Sequence, residues 1–538
     1  MQEDRRQVAY FSMEVGVDSR IPTYSGGLGV LAGDFLKASA DNSLPILGVT
    51  LLSRGGYFYQ KVEGDRQVEA PVSWRLDDFL EPVDVKVQVK VAGRDVAVTA
   101  WKYLIEGVSG YRVPLFFLDT DLPENANEDR GLTNELYGGG DMYRMKQELI
   151  LGVGGVRLLQ ELGYDSVEHY HLNEGHSSFL CLELQKQLGS REKVREFCKF
   201  TTHTPVPAGH DKFPLRDVKL VLSDSLFQAI PSGLKEKDRL NMTELALEMS
   251  GYINGVAKRH AQISRSMFPN FPVHSITNGV HAQTWTSEPF QELYDLELPD
   301  WRRDPSTLRS ATRIEEEKIW KAHQKAKTKV IDYVNSQKNA GFDYDFLTLC
   351  WARRFTSYKR PLLFLEDKER LRDIANTQGQ LQIIYAGKAH PRDKEGKELI
   401  REIIKLSRKL TGKLSLVYLE NYNIDLAKDL VAGVDLWLNT PQPLREASGT
   451  SGMKCALNGV PQLSVLDGWW REGWVEGKTG WAFEGSEELY QKLEQDIVPT
   501  FYNKPAKWQN IMKQAIVLNA SFFNASRMVQ EYLHRAYR

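Results

Sequence analysis

Residues 445–459 (REASGTSGMKCALNG) place a carboxylate, hydroxyls, glycines and a lysine at spacings that could do chemistry. Gly449-Thr450-Ser451-Gly452 reads as the start of a helix, and Asn458-Gly459 as its end. A glycine and hydroxyl turn feeding a helix leaves several backbone N–H groups without intrahelical partners, which suits an anion. Lys454 would sit one turn inside that helix, its amine within reach of whatever the turn holds, and Glu446 would face the same crevice. A lysine on a helix is more commonly a solvated surface residue, so this stretch alone leaves both readings open.

Residues 353–361 (RRFTSYKRP) hold the densest cationic cluster. Arg353, Arg354, Lys359 and Arg360 together suit two adjacent phosphates better than one. Arginine supplies planar bidentate contacts and lysine a movable point charge. Tyr358 stands among them. A third candidate is the glycine turn at residues 24–34, where Gly26, Gly27 and Gly29 permit either close approach to a phosphate or a tight structural turn. His169 and His171 share a strand face and lie near Glu174 and His176, which invites a metal reading. No second ligand cluster accompanies them. A hydrogen-bond network in which Glu174 accepts from His176 is the favoured reading, and no metal site is expected. His203 and Asn278 fall in comparable loops after strands and decide nothing unaided.

These residues need elements to position them. A short apolar run at 434–439 precedes the lysine stretch and another at 460–466 follows it, the pattern of buried parallel strands. The cationic cluster leaves a strand at 346–352, and further runs at 381–385 and 414–418 read as its neighbours. In the first half, residues 8–12 and 111–118 read as strands and 119–134 as a polar surface loop. Residues 141–163 have helical spacing. Segments 167–176, 199–210 and 274–281 each run from a strand into a loop. Strands alternating with helices predict doubly wound parallel sheets whose ligands lie beyond the carboxyl ends of strands. Residues 286–342 read as a linker and connecting helix, and 508–538 as helices that return across both halves.

At 538 residues the chain exceeds one compact core, and two domains are expected. Apolar residues make up 42% and charged residues 26%, with a formal net charge of −2, which gives no field for nucleic acid or an anionic membrane. Four scattered cysteines without CxxC spacing fit free thiols in a reducing compartment. With no signal peptide and no bilayer-length apolar run, a cytoplasmic protein is expected.

Taken together, the segments 24–33, 171–176, 201–207, 277–279, 353–360, 419–421 and 446–459 closely resemble the glycogen and maltodextrin phosphorylases, especially their short prokaryotic form. The last segment, with Lys454, is the most specific. The resemblance implies two Rossmann-like domains facing a central cleft. Residues 1–285 would form the glycine-loop domain, 286–342 the linker and connecting helix, 343–500 the cofactor and phosphate domain, and 501–538 the C-terminal helices, crossing back. It also implies reversible, retaining phosphorolysis of an α-1,4-glucan or maltooligosaccharide by inorganic phosphate to glucose 1-phosphate.

The implied cofactor is pyridoxal 5'-phosphate on Lys454, acting through its phosphate, with Arg353, Thr450 and Ser451 around that phosphate and Trp285 and Tyr422 close by. Arg354, Lys359 and the backbone of Gly27 would hold the substrate phosphate, and His203 would approach the reacting sugar. Glu446, Ser448, Gly449 and Asn278 would bind glucose hydroxyls, with Gly26 and Tyr358 also beside the substrate. Family dimers imply a possible homodimer. Thr356-Ser357, Ser451-Gly452 and Asn423 depart from the family's common residues. The rival readings are a nucleotide-sugar glucosyltransferase resembling glycogen or starch synthase, and a catalytically silent glucan-binding protein. Lys454 argues against the first and the intact Lys454, Arg354 and Lys359 against the second.

Overall fold

The computed structural model describes residues 6–206 and 209–538, so Pro207 in the 201–207 match lies outside the described residues. Among the described residues the chain forms two compact units. The first comprises residues up to Phe58, Pro71–Thr277 and Met528–Arg538; the second comprises Tyr59–Ala70 and Asn278–Arg527.

The first unit is built on a nine-stranded sheet. Val8–Ser12 lies between Ile46–Leu51 on one side and His169–Asn173 on the other, all parallel. Beyond His169–Asn173 the sheet continues, still parallel, through Cys198–Thr202, Tyr252–Gly255 and Val273–Ser275. Beyond Ile46–Leu51 it continues through parallel Arg112–Asp119 and then two antiparallel strands, Arg94–Glu106 and Glu81–Val91. Val8–Ser12 and Ile46–Leu51 are buried at every position, as expected for strands covered on both faces. The strand order reverses between Val8–Ser12 and His169–Asn173, which opens a crevice beyond their carboxyl ends.

The second unit holds a six-stranded, wholly parallel sheet. From edge to edge it runs Leu414–Leu419, Leu381–Ala386, Leu347–Ala352, Leu436–Asn439, Gln462–Val465 and Gly480–Phe483. Here the reversal falls between Leu347–Ala352 and Leu436–Asn439. The cationic cluster leaves the first of these strands and the lysine stretch follows the second, so one switch point presents both.

The expected division of the chain differs from these units at the linker, residues 286–342, and at the hairpin of residues 59–70. Residues 286–342 form no separate linker: helix Glu316–Lys338 belongs to the second unit, fastened through Asp435. That buried carboxylate accepts from Lys327 Nζ at 2.6 Å, from His323 Nε2 at 2.9 Å and from the backbone N–H of Thr348 at 2.8 Å. The hairpin of Tyr59–Glu63 and Arg66–Ala70, far away in sequence, also packs in the second unit. Gln60 Nε2 donates to Gly387 O at 3.0 Å and to the Tyr418 hydroxyl at 2.9 Å, while Gln67 exchanges two hydrogen bonds with the backbone of Ala389. The last helix, Ala525–Arg535, ends in the first unit, where the Tyr532 hydroxyl accepts from Asn254 Nδ2 at 3.0 Å. Residues 119–134 are not simply a surface loop, because Asp129 is buried and takes the Arg94 guanidinium at 2.7 and 2.9 Å.

Candidate active site

In the second unit the lysine helix is short, Ser451–Ala456, and Lys454 in it is buried. Its Nζ lies 3.7 Å from the centroid of the Trp285 indole, itself 2% exposed. Asn458 fixes this pairing. Its side-chain N–H₂ donates to Trp285 O at 2.8 Å and Lys454 O at 3.1 Å, and its Oδ1 accepts from Ser287 N at 2.8 Å. Sequence reasoning reads Asn458 only as a helix end; its full burial is a tertiary property that the local pattern does not carry. Trp437 Nε1 donates to Ser451 Oγ at 3.1 Å. Gly452, one of the departures, is tight: a Cβ there would come within 1.8 Å of Gln462 Oε1 and 2.9 Å of the Trp469 ring.

The cationic cluster divides by role. Arg353 Nη2 donates to Glu446 Oε2 at 2.8 Å, and Lys359 Nζ pairs with the same oxygen. The Arg353 Nε and Nη1 are buried without a protein acceptor. Arg354 is exposed. Arg360 is structural, against the expectation of four cations for phosphates. Its guanidinium donates to Thr440 O at 2.9 Å and Pro441 O at 2.7 Å, tying the turn to the neighbouring strand end. Burial alone would raise the Glu446 carboxyl, but Arg353 and Lys359 outweigh it and hold it down at about 2. Burial also pushes the Tyr358 hydroxyl up, and Lys359, whose Nζ lies 4.6 Å from the ring centroid, leads the cations that bring it below its ordinary value.

The second unit holds further polar candidates. The Glu446 N–H donates to Asp467 Oδ2 at 3.0 Å. Ser448 Oγ and Asn278 Oδ1 are buried without a protein partner. Gly449 has φ +80°, where a Cβ would meet Glu446 Cγ at 3.2 Å, so glycine is required there. Tyr422 follows strand Leu414–Leu419 between Asn421 and Asn423. Asn423, another departure, caps helix Ile424–Gly433 by accepting from Leu426 N at 2.9 Å. Lys388 went unread in the sequence. It is half-buried at the end of Leu381–Ala386, its carbonyl accepts from Phe355 N at 2.9 Å, and burial brings its amine down to about 8.

The first unit's switch point holds two buried carboxylates. Glu14 follows Val8–Ser12 and accepts from the glycine turn, including Gly26 N at 3.2 Å. Glu174 follows His169–Asn173 with φ +73°, a strained geometry for a side-chain-bearing residue. The sequence reading has it accept from His176, and the structure corrects this. Glu174 takes the His203 N–H at 2.7 Å and the Thr204 hydroxyl at 3.0 Å, while His176 faces Asp211 at 3.5 Å. The sequence lacks a way to see this because the loop turns back only in three dimensions. Burial lifts Glu174 to about 7 and lowers His203, whose Nε2 lies 2.6 Å from Asn173 Oδ1, to about 3. His171 has both ring nitrogens in hydrogen bonds, to Thr201 Oγ1 at 2.8 Å and to the Tyr537 hydroxyl. Gly27 opens helix Gly27–Asp41, whose first turn has no side-chain cap.

The donor set around Lys454 and Arg353 fits a phosphate-bearing group: guanidinium N–H groups buried without acceptors, adjacent hydroxyls and a buried amine on an aromatic face. A family model described as carbohydrate phosphorylase matches residues 225–472. Maltodextrin phosphorylase of Thermococcus litoralis is 37% identical, the match covering 98% of this chain and 70% of that protein. Glycogen phosphorylase of Mycobacterium tuberculosis is 33% identical over 98% of this chain and 70% of its own length. Glycogen phosphorylase of Aquifex aeolicus is 33% identical, with 99% and 86% covered.

Proposed function

This chain belongs to the carbohydrate phosphorylase family, and from that premise we propose that it is an α-1,4-glucan phosphorylase. It moves the terminal glucosyl unit of a maltodextrin or glycogen chain to inorganic phosphate, reversibly and with retention, giving glucose 1-phosphate. The observation that carries this reading is the buried Lys454 on Trp285, at the same switch point as an arginine with two unpartnered guanidinium nitrogens.

In this reading Lys454 carries pyridoxal 5'-phosphate, with Arg353, Thr450 and Ser451 around its phosphate and Trp285 and Tyr422 beside it. When bound, the cofactor supplies a phosphate that exchanges a proton with the substrate phosphate. Arg354 and Lys359 hold the substrate phosphate, the one through a planar fork and the other as a point charge. Glu446, kept ionised with its carboxyl at about 2, accepts from glucose hydroxyls and cannot serve as the acid. As the family resemblance implies, the substrate phosphate protonates the departing glycosidic oxygen, the C1–O bond breaks, and a phosphate oxygen bonds to C1 from the same face. Ser448, Gly449, Asn278 and Tyr358 orient the glucose. The resemblance further assigns Gly26 and Gly27 a backbone role toward the substrate and His203, a neutral imidazole, a role toward the reacting sugar.

A nucleotide-sugar glucosyltransferase is not favoured, since it has no use for a cofactor-carrying lysine. Assembly as a homodimer, taken from the resemblance, and a cytoplasmic setting belong to this proposal; among the described residues no helix is long and apolar enough to cross a membrane. The test is to incubate the purified protein with maltoheptaose and measure glucose 1-phosphate. Release that requires phosphate and reverses with added glucose 1-phosphate is expected. Free glucose without phosphate, or transfer from ADP- or UDP-glucose, would overturn the reading.

A further inference from the structure

The glycines of the 24–34 turn serve two different needs. Gly33 is fixed by packing, because a Cβ there would lie 2.1 Å from Gly16 O. Gly29 makes room for Glu14, whose Oε2 would be 2.7 Å from an added Cβ. Gly26 and Gly27 meet nothing within 4 Å and neither has a positive φ, so neither packing nor backbone geometry asks for glycine there. Their smallness matters only to something that approaches the turn.

Glu14 is what holds that turn. The residue is 3% exposed. Its Oε2 accepts from the backbone N–H of Ser25 at 2.5 Å and of Gly26 at 3.2 Å, and from the Ser25 hydroxyl at 3.1 Å; Oε1 accepts from the Tyr137 hydroxyl at 2.9 Å. Tyr137 is held in turn by Arg144, whose guanidinium lies 4.3 Å from the ring centroid, and Arg144 pairs with Glu148 and Asp211. The carboxylate thus takes up the N–H groups just before the helix, and the N–H at Gly27 is the first of those that a helix leaves without an internal partner. Burial raises the Glu14 carboxyl against the pull of its donors.

We propose that Glu14 is a positioning residue for the substrate phosphate: by binding the N–H groups of Ser25 and Gly26 it fixes the turn so that the Gly27 N–H is presented to phosphate. This rests on the phosphorolysis reading given above. The test uses the holoenzyme and initial rates, varying phosphate at saturating maltoheptaose and the reverse. Glu14→Ala is expected to raise the phosphate KM about tenfold while the maltoheptaose KM stays within about twofold. Glu14→Gln, whose amide oxygen can still accept both N–H groups, should recover most of the loss. If Glu14→Ala does not fold, Glu14→Asp carries the same test, since a carboxylate drawn back by one methylene cannot reach both donors. An unchanged phosphate KM, or both KM values rising together, would overturn the proposal. A wild-type protein that releases no glucose 1-phosphate would remove the phosphorolysis reading and this inference with it.

Discussion

Lys454 Nζ lies 3.7 Å from the centroid of the Trp285 indole, and Asn458 bonds to the backbone of both residues. An ammonium on an indole face is held electrostatically, and the ring also shields one side of it from water. Trp285→Ala should therefore lower cofactor retention as well as stability, the latter by about 3–5 kcal/mol for a buried aromatic. Trp285→Phe should keep most of both. The ratio of cofactor to protein absorbance after gel filtration, with a thermal melt, measures the two effects.

Lys359 and Arg353 share one oxygen of Glu446, yet different phosphates are assigned to them. Lys359→Ala should reduce phosphorolysis by at least about a hundredfold, roughly 2.7 kcal/mol of barrier, while cofactor absorbance stays at the wild-type level. Phosphorolysis near the wild-type rate in this variant would remove Lys359 from the mechanism.

Glu174 gives a pH signature. Burial lifts its carboxyl to about 7 in the folded protein, above the unfolded value of about 4.3. A raised folded value contributes stability that is complete below the unfolded value and is lost as pH rises through the folded one. Wild-type melting temperature should thus fall between about pH 4.3 and 7 through this group, and Glu174→Gln should flatten that part of the profile. Parallel profiles for the two proteins would contradict the assignment.

Asp435 should be needed for the second unit's stability. Asp435→Asn leaves Lys327 buried without its counter-charge, at a cost of about 3–5 kcal/mol. A melting-temperature drop on the order of 10 °C is expected, whereas a Ser or Thr exchange on the exposed face of Glu316–Lys338 should do nothing comparable.

The strands around the site were legible because parallel strands covered on both faces are short continuous apolar runs. Leu347–Ala352, Leu381–Ala386 and Leu436–Asn439 all lie within a residue or two of their expected places. The short lysine helix and its glycine end were legible from cap chemistry, with Gly459 at φ +66°. The unit to which a segment belongs was not. Hairpin 59–70 joins the second unit through Gln60 and Gln67, whose hydrogen bonds reach more than three hundred positions along the chain and leave no periodicity behind. Glu14 was invisible for a related reason: a single carboxylate after a strand has no spacing to read, and its role appears only when the turn folds back over it. Arg360 shows the converse. Charge density grouped it with its neighbours, while its carbonyl partners at 440 and 441 set it apart.

Borohydride reduction of the active protein, followed by peptide mapping, reaches the central assignment most directly. A single reduced pyridoxyl group on Lys454, with loss of the near-ultraviolet band, is the expected result. Active protein that carries no label, or carries it on another lysine, would contradict the assignment of Lys454 and the chemistry built around it.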